Sequence, residues 1–599
     1  MAILSKMAQK PEVNFDQLFP KLYNVELWIL AYQILAPKPG NMSAGVDGTT
    51  IDGTGLELIH DTIAQLKASR YVPKPVRRIY VPKPNNRGQR PIGIACFQDK
   101  LVQTVLKLIL EAIYEPTFAD TSHGFRPNRS CHTALEQVKQ MRGTRWWIEG
   151  DIHSFFDTMG HDILLGILAK RIADQRFVHL IGQFLKAGYL ENWQYHLTYS
   201  GVAQGGNLSP LLSNIYLNEL DQLMAAKIAQ FNRGQVRQLN PEYQRVRWQA
   251  HRLKKKARKT GKWEPYKMAK QKMLSLPATD PQDPNFRRLQ YVRYGDDWLV
   301  SVIGSKADAL ELKQALGDFL KNELQLELSV EKTLVTNAKN KVRFLGYEIG
   351  RWKKLRKLRF RTRYGVTTQR TTHYQPVLFL PHLKAVKFGK EYGDPTLWRG
   401  KARPKLQNLS ELEILSTFNA EIRGFLGYYA LADNLKKEAS RLLWLTTQSF
   451  LLTLAGKRRS SLNKVATSLK KRQNRYALKL LKKVGTIKEY ELVSSTTQLK
   501  QEKVSYGQPD LKPNLWPYRS RTELGKRLLA QLCEWCGTTQ PPFEVHHVRK
   551  LKDLKGKTNW EQQMIQRRRK TMVLCQECHH LLHAGKLSEN RKAKRKLES

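Results

Sequence analysis

Two adjacent carboxylates, Asp296 and Asp297, follow an aromatic residue and a glycine in the stretch Tyr294-Gly295-Asp296-Asp297. Apolar runs lie on both sides, so the segment predicts two strands joined by a tight turn with both acids at its tip. Two carboxylates are costly to hold together unless cations neutralise them. Nucleotidyl transfer supplies such cations, because two Mg²⁺ ions clamp the attacking and leaving oxygens. Two aspartates in a turn most often mark only an exposed, hydrated turn, so other residues must show whether this turn is a metal site.

A third carboxylate and groups suited to a nucleotide occur upstream of this pair. An apolar run from Trp146 ends in Asp151, which predicts a buried strand that delivers this acid to a sheet edge. The stretch from Arg77 to Gly93 predicts a β-hairpin that carries cations around a turn of Pro, Asn and Gly. Residues 202–210 form a glycine-rich loop that opens onto an apolar helix over residues 211–220. Together these features favour chemistry on a nucleotide.

The chain resembles bacterial group II intron-encoded proteins, the maturase–reverse transcriptases of the lactococcal type. The resemblance covers nearly all of the chain and is carried by seven blocks in one order: RRIYVPKPNNRGQRPIGI, YEPTFADTSHGFRPNRSCHTAL, FLKAGYLENWQYH, AQGGNLSPLLSNIYLNELD, YVRYGDD, LSVEKTLVT and RFLGYEI. It implies that Asp151, Asp296 and Asp297 are the catalytic acids and hold Mg²⁺. It also implies that Lys83 and Arg90, on either side of the hairpin turn, grip the triphosphate of a dNTP.

The same resemblance implies further contacts with substrate. Gln204 is expected to contact the incoming nucleotide or the template backbone. Phe156 is expected to lie against the sugar and to exclude a 2′-hydroxyl, although a plain core phenylalanine is the alternative. Lys332 and the stretch from Phe344 to Glu348 are expected to support the primer end. The family's usual hairpin is YADD, and Gly295 in place of Ala is a small departure that leaves the assignment in place.

Cysteines near the C-terminus indicate a metal site. Six cysteines in a cytosolic chain suggest metal binding before disulfides. Four of them form two CxxC pairs, which fits a structural tetrahedral zinc site: Cys533, Cys536, Cys575 and Cys578. Cys96 and Cys131 stand alone and are predicted to be packing residues.

Histidines between and after these cysteines resemble those of an HNH endonuclease. The motif implies that His546, His579 and His583 hold one catalytic metal ion, for which Mg²⁺ is expected, and that His547 is the general base that activates water. The usual middle Asn of the motif, five residues before the third cysteine, is Lys570 here, so the group that orients His547 is left open. The alternative is a zinc-stapled DNA-binding knob that does not cleave.

The expected fold class is multidomain α+β: the fingers and palm of a right-hand reverse transcriptase, an α-helical thumb called domain X, and a small zinc-stapled ββα-metal HNH domain. We place the boundaries as follows: residues 1–75 an N-terminal RNA-binding extension, 76–350 fingers and palm with a basic insertion at about 232–285, 351–483 the thumb, 484–525 a DNA-binding linker region, and 526–599 the HNH endonuclease. Within the thumb, residues 461–483 predict a basic amphipathic helix.

Composition indicates a polyanionic partner. The chain has 102 Lys and Arg against 52 Asp and Glu, for a net charge of +50, and its 13 Trp and 23 Tyr offer stacking faces for unpaired bases. No apolar run reaches the length of a membrane span, and the first residues lack a signal-peptide core. We therefore expect a cytoplasmic, nucleoid-associated ribonucleoprotein with no membrane partner, and leave open whether it is a dimer.

These observations predict a multifunctional intron protein whose partners are group II intron RNA, target DNA and dNTPs. It would assist splicing of the intron, nick one strand of DNA and copy the intron from that nick. One rival is an RNA-binding maturase with a decayed polymerase, but Asp151, Asp296 and Asp297 are all retained. A second rival is a retron or CRISPR-associated reverse transcriptase, which the thumb block NAEIRGFLGYYA and the HNH module disfavour.

Overall fold

The computed structural model describes residues 1–82, 88–280, 283–351, 357–362, 365–370, 375–470, 475–481, 487–498 and 521–587. The chain is a mixed α+β protein, as the sequence predicts. Its α-helices span Ala2–Ala8, Val25–Leu35, Leu56–Lys67, Phe97–Tyr114, Cys131–Gln140, Phe155–Thr158, His161–Ala169, Gln175–Lys186, Ser209–Phe231, Pro241–Thr260, Glu264–Ser275, Lys306–Leu324, His382–Gly389, Glu411–Tyr428, Leu435–Lys457, Leu462–Leu469, Glu523–Leu528, Asn559–Arg567 and Gln576–His583. Its strands span Thr54–Gly55, Val76–Pro82, Gln89–Ile94, Trp146–Gly150, Tyr189–Glu191, Gln194–His196, Arg288–Tyr294, Asp297–Ile303, Leu334–Asn337, Val342–Phe344, Tyr347–Gly350, Lys357–Thr362, Gly365–Arg370, Val377–Phe379, Gly393–Asp394, Arg399–Gly400, Ala477–Leu481, Ile487–Glu491, Phe543–His547 and Thr571–Cys575.

The central sheet contains four antiparallel strands, in the order Arg288–Tyr294, Asp297–Ile303, Trp146–Gly150 and Leu334–Asn337. Its strands are rich in β-branched and aromatic residues, which suit a pleated, packed surface. Leu299, Val300 and Val302 are fully buried in its middle. The two predicted strands around the acid pair are confirmed, and so is the buried strand before Asp151. Because Gly150 pairs with Trp298, these strand ends meet at one edge of the sheet.

A second sheet, the upstream sheet, contains the predicted hairpin of strands Val76–Pro82 and Gln89–Ile94. The turn of this hairpin, residues 83–87, lies outside the described residues. The glycine-rich loop packs on the sheet, because the Gly93 N–H donates to the Gln204 carbonyl at 2.8 Å. A Cβ on Gly205 would lie 2.9 Å from the Ile92 side chain, so the approach requires glycine. The helix predicted after this loop is present as Ser209–Phe231.

A tight hairpin joins the central sheet to the helical region that follows. Its strands, Val342–Phe344 and Tyr347–Gly350, are linked by Leu345 at φ 47° and Gly346 at φ 74°, the two left-handed positions of a primed turn. The Tyr428 hydroxyl donates to the Leu345 carbonyl at 2.7 Å, and the Tyr429 hydroxyl donates to the Gly346 carbonyl at 3.3 Å. The end of helix Glu411–Tyr428 is therefore fixed on this turn.

The prediction of one basic helix over residues 461–483 is wrong for the described residues after 469. The helix spans Leu462–Leu469, and Ala477–Leu481 is a strand that pairs with Ile487–Glu491. The downstream strand offers the backbone a hydrogen-bonding partner, and Leu478 is buried in the apolar core of the helical region. Tertiary pairing therefore overrides the helical pattern here. The region is also not purely helical upstream, where Lys357–Thr362 pairs with Gly365–Arg370.

The C-terminal module, residues 521–587, packs against the N-terminal helices. Its hairpin of Phe543–His547 and Thr571–Cys575 gains a third strand, Thr54–Gly55, from the other end of the chain. Leu528 and Val545 lie in the same apolar core as Trp28. The module is therefore attached through a shared core as well as through residues 499–520, which lie outside the described ranges.

The insertion at residues 232–285 forms two helices, Pro241–Thr260 and Glu264–Ser275, and exposes Trp248 and Trp263. The basic insertion that the sequence predicts therefore presents two aromatic rings to solvent. None of the described helices combines the length and apolarity that crossing a bilayer requires.

Candidate functional sites

Three acids gather at one edge of the central sheet. Gly295 takes φ 66°, which permits a two-residue turn with Asp296 at its tip and Asp297 at the start of the next strand. A Cβ on Gly150 would lie 2.0 Å from the Trp298 ring, so only glycine lets the strand before Asp151 come this close. The charges of Asp151 and Asp296 both act on the carboxyl group of Asp297. The structure thus brings the three acids together, and their catalytic roles stay predictions.

The electrostatics of this edge fit a divalent cation. Desolvation in the cleft and repulsion by Asp296 and Asp151 raise the pKa of Asp297 to about 7, although its side chain faces the open cleft. Burial and Asp151 also raise the pKa of Asp296 above its ordinary value. Like charges that disfavour ionisation are relieved when a cation binds between them. The residues present therefore suit Mg²⁺.

A buried arginine supports the acid hairpin from behind. Arg293 is completely buried and pairs with Asp221 at 2.6 Å. Its guanidinium also donates to Asn214 at 3.1 Å and to the Gly295 carbonyl at 3.0 Å. The Tyr291 hydroxyl donates to the same carboxylate of Asp221 at 2.9 Å. This network fixes the turn that carries the acids, and breaking one side would leave a buried charge without its partner.

Three residues are expected to contact the triphosphate, the incoming nucleotide or the template backbone. Arg90 and Gln204 are described, while Lys83 lies outside the described residues. Arg90 is exposed on the strand Gln89–Ile94. Burial raises the pKa of Asp296, and the positive charge of Arg90 lowers it by a smaller amount. Gln204 is half-buried, and its backbone is fixed by the Gly93 contact. The structure brings Arg90 to the acids, and the roles of Lys83, Arg90 and Gln204 stay predictions.

Phe156 lies between the acid hairpin and the glycine-rich loop. It belongs to the short helix Phe155–Thr158 and is half-buried, with ring centroids 5.3 Å from Phe155 and 6.4 Å from Phe125. Its carbonyl accepts from the Val202 N–H at 2.7 Å, which ties it to the loop. A Cβ on Gly295 would lie 3.1 Å from Phe125. This position suits the predicted sugar gate, which remains to be tested.

A cleft of about 750 Å³ opens beside the acids. Asp151, Asp297 and Lys332 line one part of it, and the turn residues Leu345 and Gly346 line another. The hairpin predicted to support the primer therefore borders the same cleft as the acids. Lys332 itself contacts an acid, with Nζ 2.6 Å from Asp151 Oδ2, and this hydrogen bond raises the pKa of the lysine.

The four predicted zinc cysteines converge in the C-terminal module. All four sulfur atoms lie within 4.8 Å of one another, and Cys536 Sγ is 3.8 Å from Cys575 Sγ. A tetrahedral zinc ion with Zn–S bonds of about 2.3 Å separates its sulfurs by about 3.8 Å. The donor set therefore fits structural zinc. Cys96, predicted to be a packing residue, is a buried free thiol.

The three predicted histidine ligands also converge. His579 Nε2 lies 3.3 Å from His546 Nδ1 and 3.1 Å from His583 Nε2. His579 Nδ1 contacts the Glu544 carboxylate at 2.5 Å, which turns Nε2 towards the cluster. Such a carboxylate behind an imidazole is the usual orienting contact of metal-binding histidines. Asp52 from the N-terminal region is the fourth donor in this group.

His547 faces a different partner, because neighbouring residues of a strand point to opposite faces. Its Nε2 lies 2.8 Å from the Tyr32 hydroxyl. Burial lowers the pKa of His547 to about 4, so the imidazole is neutral at pH 7, the form that a general base requires. Lys570 is exposed, and its carbonyl accepts from the Val548 N–H at 2.9 Å, directly after this strand. Tyr32, rather than residue 570, therefore orients His547.

Sequence reasoning missed Asp52, Tyr32 and Glu544. Glu544 could have been found, because strand alternation places it on the same face as His546. Asp52 and Tyr32 could not, since Asp52 lies 495 residues before the His547 backbone N–H that it accepts from. No spacing rule connects residues at this separation.

Comparisons with known proteins agree with this division of sites. Three family models match the chain: Reverse transcriptase (RNA-dependent DNA polymerase) at residues 81–349, Type II intron maturase at 378–515, and AI2M/AI1M-like, HNH endonuclease at 533–579. The group II intron-encoded protein LtrA of Lactococcus lactis subsp. cremoris is 38% identical over 98% of this chain and 99% of its own. The chain belongs to the group II intron-encoded proteins.

Other relatives match most or part of the chain. A 91 kDa protein in the cob intron of Schizosaccharomyces pombe is 33% identical over 98% of this chain and 72% of its own. Protein YkfC of Escherichia coli K12 is 32% identical over 61% of this chain and 90% of its own. This group II intron-encoded protein thus combines RNA-directed DNA polymerase, maturase and HNH DNA endonuclease. The retained acids disfavour the decayed-polymerase rival, and the maturase and HNH matches disfavour the retron and CRISPR rivals.

Proposed function

We propose that Asp151, Asp296 and Asp297 form the polymerase site and hold Mg²⁺, which when bound neutralises the charge on the transferring phosphoryl group. The central sheet then corresponds to the palm, the upstream sheet to the fingers, and the helical region over residues 382–469 to the thumb. Arg90, together with Lys83, binds the triphosphate from the fingers. The observation that supports this most directly is the position of the three acids at one edge of the central sheet, where burial and neighbouring carboxylates raise the pKa values of Asp296 and Asp297.

The cleft defines how the primer and nucleotide meet. Gln204 and Phe156 border the nucleotide position, with Phe156 excluding the 2′-hydroxyl of an rNTP. The turn at Leu345 and Gly346 supports the primer end, and it is held by the tyrosines that end helix Glu411–Tyr428. Lys332 neutralises Asp151 until the substrates arrive and then contributes its charge to the same cleft.

We infer that the C-terminal module cleaves DNA. Cys533, Cys536, Cys575 and Cys578 hold a structural Zn²⁺ that shapes the hairpin, and His546, His579 and His583 hold a second divalent cation that supplies charge stabilisation at the scissile phosphate. His547 removes the proton from the attacking water. The convergence of the three imidazoles, with Glu544 behind His579, supports cleavage over the alternative of a DNA-binding knob.

The two sites share a chain because the 3′ end of the cut strand is the primer for copying. The protein binds its intron RNA and assists splicing, nicks the target DNA, and extends the cut strand with dNTPs on the intron template. The net charge of +50 serves both nucleic acids. A dimer and association with the nucleoid stay predictions that no contact in the structure tests.

A crossed pair of variants tests this assignment. Asp296→Ala combined with Asp297→Ala should abolish Mg²⁺-dependent dNTP incorporation on an RNA template, while nicking of a labelled target duplex and RNA binding persist. His547→Ala should abolish nicking and leave extension of a supplied primer intact. Extension by the purified double variant would refute the polymerase residues. Normal nicking by His547→Ala would refute the assigned base.

A further inference from the structure

The N-terminal segment around Asp52 forms part of the nuclease module's surface. Gly53 donates its N–H to the Val545 carbonyl at 3.2 Å, and Thr54 pairs with Val545 in the sheet. A Cβ on Gly55 would lie 2.4 Å from the Phe543 carbonyl, so the segment approaches as closely as a glycine backbone permits. The segment is thus a paired strand whose glycines permit close approach. It places the residue before it, Asp52, at a fixed position over the histidines.

That preceding residue, Asp52, points its carboxylate into the histidine cluster. Oδ1 lies 3.0 Å from His546 Nδ1 and 3.4 Å from His579 Nε2, and Oδ2 lies 2.9 Å from His583 Nε2. The Asp52 side chain is only 14% exposed. The His547 N–H donates to Oδ1 at 2.7 Å, which fixes the orientation of the carboxylate.

The distances among the Asp52 oxygens and the three imidazoles can be compared with those around a metal ion. A tetrahedral ion with ligand bonds of about 2.0–2.2 Å separates its ligand atoms by about 3.3–3.6 Å. The cluster, with separations from 2.9 to 3.4 Å, is slightly tighter than this and would need to open by a few tenths of an ångström. Catalytic metal sites keep one position open for water or substrate, whereas four protein ligands close the site.

The general base is covered from the same side. Tyr32, on helix Val25–Leu35, places its hydroxyl on Nε2 of His547 at 2.8 Å. His547 is buried in this arrangement. This hydrogen bond holds one ring nitrogen of His547 against the N-terminal helix. The N-terminal region therefore contacts both the metal-binding face and the base of the nuclease.

We propose that Asp52 is a fourth ligand of the nuclease's divalent cation, supplied by the N-terminal region, and that it closes the nuclease site in the free protein. The inference rests on the proposed function, because it needs His546, His579 and His583 to hold a metal. Cleavage then requires Asp52 to withdraw, so that the scissile phosphate takes its position. Binding of nucleic acid to the N-terminal region is the event suited to cause this.

A different explanation is that Asp52 serves only as the counter-ion of protonated histidine. Despite burial, hydrogen bonds with Asp52 and Glu544 raise the pKa of His579 to about 9. In that case removal of the carboxylate would leave metal binding unchanged or stronger. The two explanations therefore predict opposite effects of one substitution on metal affinity.

Co²⁺ is a direct probe, because four-coordinate Co²⁺ absorbs visible light far more strongly than six-coordinate Co²⁺. The full-length protein, free of RNA and with zinc retained in its cysteine site, is titrated with Co²⁺. Asp52→Ala and the near-isosteric Asp52→Asn should shift or weaken the absorption band and bind Co²⁺ at least about tenfold more weakly, the scale that even contacts behind a ligand reach. Glu57→Ala is the matched control, since it removes an exposed acid from the same segment and should behave as wild type.

Nicking of a labelled duplex at saturating Mg²⁺, again without RNA, measures closure. Asp52→Ala should nick on the order of tenfold faster than wild type, a typical size for coupling between sites. Co²⁺ absorption equal to that of Glu57→Ala would overturn Asp52 as a ligand, and slower nicking would overturn its role in closure. His583→Ala tests the histidine site separately from the role of Asp52. If this variant binds Co²⁺ as wild type does, the histidine site and the proposed nuclease are both wrong.

Discussion

The polymerase and nuclease sites of this protein are built in opposite ways. The three acids proposed for the polymerase lie at one edge of the central sheet, and two of them, Asp151 and Asp297, border an open cleft. Repulsion by neighbouring carboxylates raises the pKa of Asp297 there. The nuclease donors come from both ends of the chain and lie within 4.8 Å of one another. Among the described residues, such compact donor groups occur only in the nuclease module. One site is prepared to accept substrate, and the other is already filled by a carboxylate of the same chain.

This difference bears on the order in which DNA cleavage and copying take place. A polymerase can remain open without harm, because it acts only when a primer and template are present. A nuclease that is open in the free protein would cut DNA before the intron RNA is ready to be copied. Closing it with Asp52, as proposed above, would couple cleavage to assembly, because Asp52 belongs to the region expected to bind RNA. The predictions below test how separate the two sites are, beginning with the largest effect.

Cys533→Ser should collapse the nuclease module while leaving the polymerase active. Structural zinc contributes about 10–16 kcal/mol in small zinc domains, which exceeds the stability of most such modules. Zinc content by mass spectrometry should fall, and nicking and DNA binding should be lost together, unlike the loss of nicking alone in His547→Ala. Cys131→Ser, outside the zinc site, should keep its zinc. A Cys533→Ser protein that retains zinc and nicks DNA would contradict the four-cysteine assignment.

Arg293→Met should make the polymerase less stable to heat, because Asp221 would be left as a buried charge without its cationic partner. Breaking such a pair costs about 3–5 kcal/mol, whereas replacing both partners with apolar residues is often neutral. The temperature at which dNTP incorporation is lost should therefore fall in Arg293→Met and largely recover when Asp221→Leu is added. Nicking should be unaffected in both. Equal heat inactivation of the single and double variants would show that the pair does not support the hairpin.

The two sites also differ in how much of them the sequence could predict. The acid turn, Asp151 and the zinc cysteines were predictable because their positions follow from strand ends and short spacings. The buried pair Arg293–Asp221 was not, since a charged residue in a strand gives no sign of whether it faces solvent or a partner on a distant helix. Asp52 and Tyr32 depend on docking between chain ends. The strand Ala477–Leu481 was taken for helix because its pairing partner, Ile487–Glu491, is visible only in the fold.

Phe156→Ala sharpens the description of the open site. If the ring excludes the 2′-hydroxyl, the clash it imposes is worth about 1–3 kcal/mol, so the preference for dNTP over rNTP should fall by roughly 5- to 150-fold. Single-nucleotide incorporation with each substrate measures this ratio. Phe319→Ala removes another partly buried ring, from helix Lys306–Leu324, and should leave the ratio unchanged. An unchanged ratio in Phe156→Ala would make it a core residue and place the gate elsewhere.

Removal of the nuclease module should have the smallest effect on copying and splicing. The boundary proposed at residue 526 falls inside helix Glu523–Leu528, whose Leu528 is buried in the core of the N-terminal helices. A chain ending at Ala530 keeps this helix, and a chain ending before Arg521 does not. Both should retain cDNA synthesis and RNA-dependent splicing, because the polymerase acids and the helical region are untouched.

The two truncations should differ only in stability. Burying one Leu contributes about 1.5–3 kcal/mol, so the shorter chain should lose polymerase activity at a temperature a few degrees lower. Heat inactivation of dNTP incorporation, followed side by side for the two chains, measures the difference. If the chain ending at Ala530 no longer supports splicing, the maturase function depends on the nuclease module, and the two regions are less separate than their sites suggest.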